Sequence, residues 1–212
     1  MKVAILSESE ADETVIRVLV GGILGRPTEP VSHLSLRSRG WPAVRNVLPA
    51  VLRHLQYSTE AEALVVVADS NHTPTHQSHH LPDDADNKCR FCELQRIASR
   101  TIQSLRPAGN RQLIQIAIGL AIPSLEAWLR CGRDPDVTEA KWNEGLDRRH
   151  DPYSKNDLKY RVYGTDRPNL EHLKHRGVEE AKRLITDLAT LENRFPAGFG
   201  TFATQIRGWL SR

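Results

Sequence analysis

Apolar positions fall into two rhythms along this chain. Short unbroken runs, "KVAIL" (residues 2–6), "EALVVVA" (62–68) and "LIQIAI" (113–118), have the length and branching of buried strands. "VSHLSL" (31–36) alternates instead, as a half-buried strand does. Between these runs apolar residues recur at helical spacing. Ser9 and Asp12 fit a capping box, and Val15, Ile16, Leu19, Val20, Ile23 and Leu24 then trace one helix face until Gly25. The pattern also predicts helices over 41–55, with Pro49 as a kink or break, and over 90–105. Pro123 is placed at the first turn of a helix through "SLEAWLRC" that Gly132 ends. Further helices are predicted over 178–195 and 199–210.

Strands separated by helices predict an α/β domain with a mainly parallel sheet flanked by helices. We expect that domain over residues 1–132, including a polar His/Cys loop at 70–92, with 133–212 as a helical extension packing on it. Composition leaves this picture in place. At 212 residues, 39% hydrophobic and 26% charged, the chain reads as an ordinary globular protein with a sizeable core. Its 29 basic and 26 acidic residues nearly balance, so charge alone does not make it a nucleic-acid binder. The opening "VAIL" is too short, and "SESEADE" after it too acidic, for a signal peptide. No apolar run approaches the roughly 18 residues of a membrane span. Three cysteines do not make a disulfide framework. A cytoplasmic protein with no membrane partner is expected.

In open parallel sheets ligands bind beyond the carboxyl ends of the strands, so acids at strand ends are the place to look. The first strand leads to Glu8, with Glu10, Asp12 and Glu13 close behind; "VVVADSN" leads to Asp69 and Asn71; and Glu126 follows the last predicted strand. Carboxylates gathered at one sheet edge repel unless a proton or cation bridges them, and hard oxygen ligands suit Mg²⁺ or Mn²⁺. Acids after strands also cap helices, and Asp12 fits that role. Glu126 sits among apolar residues in "AIPSLEAWL", where a carboxylate needs a partner.

"VAILSESEADETVIRVLV" resembles the opening of Toprim-type domains, in which a strand ends in a glutamate and a helix follows. "LVVVADSN" is similar to their D-x-D motif, and "LAIPSLEAWL" resembles a third element of bacterial Toprim-related proteins, the anti-phage nuclease relatives among them. The likeness covers the N-terminal two thirds well and the closing "FPAGFGTFATQIRGWL" loosely. It implies that Glu8, Asp69, Asn71 and Glu126 hold Mg²⁺ or Mn²⁺, with Glu8 able to handle a proton. Ser9 stands where glycine is usual, and Asn71 replaces an aspartate, removing one negative charge. Lys155 and Lys159 are the candidates for neutralising a phosphate. The implied activity is metal-dependent phosphodiester hydrolysis on DNA or RNA, with phage defence and a protein partner from a defence operon as further implications. The alternatives are a catalytically degenerate interaction or nucleic-acid-binding module, and a hydrolase of nucleotides or small phosphates.

Cys89 and Cys92 have the spacing of half a zinc site, and His72, His76, His79 and His80 lie upstream in the same polar segment. Cys89 and Cys92 with His76 and His80 would make a structural Zn²⁺ site. Two thiols packing a helix start, or a redox pair, are the alternatives. His72 could instead join Asp69. Basic residues mix with Trp142, Tyr153, Tyr160 and Tyr163 in the tail, either to hold nucleic acid or as an ordinary helical surface over core aromatics.

Overall fold

A computed structural model of the chain describes residues 1–31, 40–77, 79–80, 88–107, 109, 111–165 and 167–211. The elements run β1 (Val3–Leu6), α1 (Glu10–Leu24), α2 (Gly40–Ser58), β2 (Ala63–Asp69), α3 (Arg90–Ser104), β3 (Gln115–Ala121) and α4 (Leu125–Arg130). After them come α5 (Glu139–Asp147), α6 (Lys155–Tyr163), α7 (Leu170–Leu184), α8 (Leu188–Arg194) and α9 (Thr201–Arg207), with a π-helical turn at Pro196–Gly200 and a 3₁₀ turn at Gly208–Ser211. The fold is α/β, as expected. β1, β2 and β3 pair side by side in that order, all parallel. Val3 lies opposite Ala63 and Leu6 opposite Val66, and β2 then pairs with β3 along its whole length to Asp69 opposite Ala121. The half-buried strand expected at 31–36 lies almost wholly outside the described residues.

β2 is buried at successive positions from Ala63 to Ala68, so both of its faces are covered, the usual state of a parallel strand. α2 and α3 pack on each other and on β2 and β3, while α9 lies over β3 and also meets α1. α1 forms as its pattern predicts. Ser9 caps it by accepting the Asp12 N–H, and Gly25 ends it in the left-handed conformation. Pro49 does not break α2. The apolar face of Val44, Leu48, Leu52 and Leu55 holds that helix against its neighbours through the lost backbone bond.

The C-terminal helices close onto this core. α7 runs against α1, where Gly177 lets the Val15 side chain approach. At the centre of β3, Gly119 leaves room for the rings of Phe202 and Trp128, which a Cβ would meet at 3.1 and 3.3 Å. The helix expected over 178–195 is two helices. The chain turns after Leu184, and Asp187 caps α8 by accepting the Thr190 N–H. Among the described residues no helix is long and apolar enough to cross a membrane.

Candidate functional site

The parallel register brings the strand-end acids to one edge. Glu8 lies just beyond β1, Asp69 is the last residue of β2, and Glu126 sits in the first turn of α4, which follows β3. The Asp69 N–H donates to Glu8 Oε1 at 3.0 Å. Asp69 Oδ1 accepts the Leu125 N–H at 3.1 Å, so this carboxylate caps α4 from across the sheet. Asp69 Oδ2 accepts from Lys155 Nζ at 2.6 Å, and the same ammonium reaches Asn71 Oδ1 at 2.8 Å. Glu126 is buried, and the Ser124 hydroxyl donates to its Oε2 at 2.6 Å. Ser124 is the N-cap of α4, so Pro123 stands before the cap and not in the first helical turn, where the sequence pattern placed it.

Asn71 adopts the left-handed conformation, φ 51°, and its N–H donates to Pro123 O at 2.9 Å. Asparagine tolerates that backbone better than most residues.

Two residues not named as ligands border the site. Asp12 was expected close behind Glu8 and as a cap partner of α1; burial, then the charges of Asp69, Glu126 and Glu8, push its pKa up to about 8. Arg90 donates from Nη1 to the Asp69 carbonyl at 2.6 Å, lies 3.9 Å from Glu8 Oε1, and stacks on Trp41 at 4.8 Å. Burial, aided by Glu126 and Glu8, also raises Asp69 well above the ordinary carboxylate range against the pull of Lys155. Burial works against the Lys155 charge, but Asp69, Glu126 and Glu8 outweigh it and raise its pKa. Tyr163 is held protonated by burial and by the neighbouring Glu126, Asp12 and Asp69. This is a carboxylate-rich site short of positive charge.

A pH dependence follows. Asp12 binds a proton more tightly folded than unfolded, so between about pH 4 and pH 8 the folded state holds the extra proton and stability falls as pH rises. Asp12→Asn removes that penalty. We expect it to raise the Tm of metal-free protein at pH 8 by roughly 4–8 °C, about 2 kcal/mol after allowing for solvent screening. The gain should be smaller at pH 5, and thermal melts at the two pH values check it.

The second constellation lies at the start of α3. The ligand atoms of His76, His80, Cys89 and Cys92 all fall within 4.8 Å of one another, the two cysteines buried. It is the one such gathering of His, Cys, Asp or Glu donors among the described residues; the strand-end acids do not close so tightly. Cys92 Sγ lies 3.3 Å from His76 Nδ1. This group can hold a metal such as zinc. The cysteines form no disulfide, and burial pushes the Cys89 thiol up to about 11, opposite to what redox catalysis needs. His79 is exposed and stands beside the His80 ring, outside the group.

Other candidates fall elsewhere. His72 pairs with Asp151 at 2.8 Å and faces Trp142, away from Asp69's partners. Lys159, one turn beyond Lys155 on α6, makes none of the acid-site bonds described above. Of the tail aromatics, Trp142, Tyr153 and Tyr163 are buried in the core and cannot stack on bases; Tyr160 is exposed. Comparison with protein-family models, curated proteins and solved structures returned no match for this chain.

Proposed function

We propose that this chain is a Toprim-like enzyme that hydrolyses phosphodiester bonds of DNA or RNA with the help of Mg²⁺ or Mn²⁺. The observation that carries this reading is the convergence of Glu8, Asp12, Asp69 and Glu126 at the carboxyl edge of a parallel sheet, with one lysine against them. Asp12 and Asp69, whose proton affinity is raised by burial among like charges, are groups that a hard cation would relieve. Glu8, Asp69, Glu126 and the Asn71 amide oxygen are the residues that would hold it. Bound there, the ion would supply an activated water and a polarised phosphate.

The chain's own groups have distinct parts. Lys155 brings a permanent positive charge to the site, where it can meet a phosphate once its bond to Asp69 is shared. Glu8 would take a proton from an attacking water. Arg90 sets a second cation behind Glu8 and Asp69. Removing the charge in Lys155→Met is expected to slow cleavage about 100-fold while leaving divalent-metal binding in place. Single-turnover rates with a metal titration check this.

A second reading draws on Lys155 itself, whose ammonium already occupies Asp69 Oδ2 and Asn71 Oδ1. In it the site is catalytically silent and the protein is an interaction or nucleic-acid-binding module. A role in phage defence, beside a protein partner, follows from the resemblance alone. The deciding assay incubates purified protein with single- and double-stranded DNA and RNA, with Mg²⁺, Mn²⁺ or a chelator. Metal-dependent cleavage of one of them is the expected outcome; binding without cleavage under all conditions favours the second reading.

A further inference from the structure

The two constellations meet at one residue. Arg90 follows Cys89 and precedes Cys92 by two positions, yet its guanidinium is at the acid site, bonded to the Asp69 carbonyl and 3.9 Å from Glu8. Its side chain is only 15% exposed and lies over Trp41, and its Nε is buried with no hydrogen-bond partner among the described residues. An arginine so placed has given up much of its hydration and its rotamer freedom. Among the described residues its one direct hydrogen bond is to a backbone oxygen, with Glu8 at the edge of ion-pair range, a modest return for that cost. Something must fix the backbone from which it projects.

We propose that His76, His80, Cys89 and Cys92 bind one Zn²⁺ tetrahedrally, and that this clip anchors the start of α3 so that Arg90 is held at the acid site. The donor set, two thiols and two imidazoles, is that of a structural zinc site. Zinc bonds of about 2.0–2.3 Å separate tetrahedral ligand atoms by roughly 3.3–3.8 Å. The 3.3 Å between Cys92 Sγ and His76 Nδ1 already has that spacing, and the 4.8 Å span of the whole set requires only a small closure. The clip ties the loop that leaves β2 after Asp69 to the helix that carries Arg90, joining both ends of the segment to the sheet edge. That Arg90 then meets a substrate phosphate rests on the function proposed above. The clip and the placement of Arg90 do not.

Two measurements on the full chain test this without any activity assay. Elemental analysis of metal-replete protein should find about one zinc per chain, lost in Cys92→Ser, and cobalt substitution should give the visible absorption of a tetrahedral thiolate complex. No zinc uptake, or uptake unchanged in Cys92→Ser, overturns the site. An arginine-selective dicarbonyl reagent, mapped by mass spectrometry, then reads the position of Arg90. Arg130 is an internal control, since its side chain is also 15% exposed and is ion-paired with Asp134. In chelator-stripped wild type, and again in Cys92→Ser, Arg90 labelling should rise at least about tenfold through local opening while Arg130 stays protected. Arg90 labelling that does not change, or a rise shared equally by Arg130, overturns the role of the clip in holding Arg90.

Discussion

Asp69→Asn is expected to lower metal-dependent cleavage by about 10³ while leaving the fold intact, an effect of the size seen when a preorganised electrostatic group is removed from an active site. Asp69 holds the centre of the acid site through both of its oxygens, one on the Leu125 N–H and one on Lys155, with its own N–H on Glu8. Asparagine keeps an amide oxygen that can still cap α4, so the helix carrying Glu126 stays in place. The charge that would bind a divalent ion and anchor the lysine is gone. Because the half-buried Asp69 carboxylate sits among like charges, its neutralisation is expected not to destabilise the chain, and the Tm should hold or rise. Cleavage rates at saturating Mg²⁺ beside thermal melts distinguish this from simple unfolding. Glu8→Gln should lower cleavage to a similar extent.

Trp128→Ala is expected to cost about 4 kcal/mol, a large share of the roughly 5–15 kcal/mol available to a domain. Trp128 is fully buried, edge-on to Phe199 at 5.2 Å between ring centroids and stacked near Phe202 at 6.2 Å. It fills the space left open above Gly119 on β3, so its removal empties the joint between the sheet, α4 and α9. For a chain of this size the Tm should fall by roughly 8–16 °C. Glu126 stands two residues before it on the same short helix, so cleavage should weaken even below the melting temperature. Trp128→Phe is the milder comparison, since the indole Nε1 has no hydrogen-bond partner among the described residues and none is lost. Denaturant midpoints for the two variants check both sizes of effect.

The acid site was legible as far as residues announce themselves by sitting where a strand gives way to a helix. Glu8, Asp69 and Glu126 do so, and a parallel sheet must bring such positions to one edge. The histidine–cysteine group was legible from the loop that carries it, because His76, His80, Cys89 and Cys92 are close in sequence and of matching chemistry. Asp12 was legible as a cap partner close behind Glu8, through the backbone bond to Ser9 that a capping box predicts, but its burial and its coupling to the charges of Asp69, Glu126 and Glu8 were not. Arg90 was hidden for another reason. Nothing in the spacing of a helix start says that the residue after a cysteine points across to β2. Lys155 could be nominated but not chosen over Lys159, because the choice depends on how α6 is seated against the sheet edge, a tertiary fact. The helix break after Leu184 had a local signal, Asp187 three residues before Thr190, which the strong apolar periodicity around it overrode.

The most direct test of the central claim is a Mn²⁺ titration of metal-free protein followed by electron paramagnetic resonance, with zinc supplied so that the histidine–cysteine group is filled. Wild type is expected to bind one or two Mn²⁺ with release of protons near pH 7, and Asp69→Asn and Glu8→Gln each to lose that binding. No bound Mn²⁺ in wild type, or the same affinity in both variants, would contradict a divalent-metal site at the strand-end carboxylates.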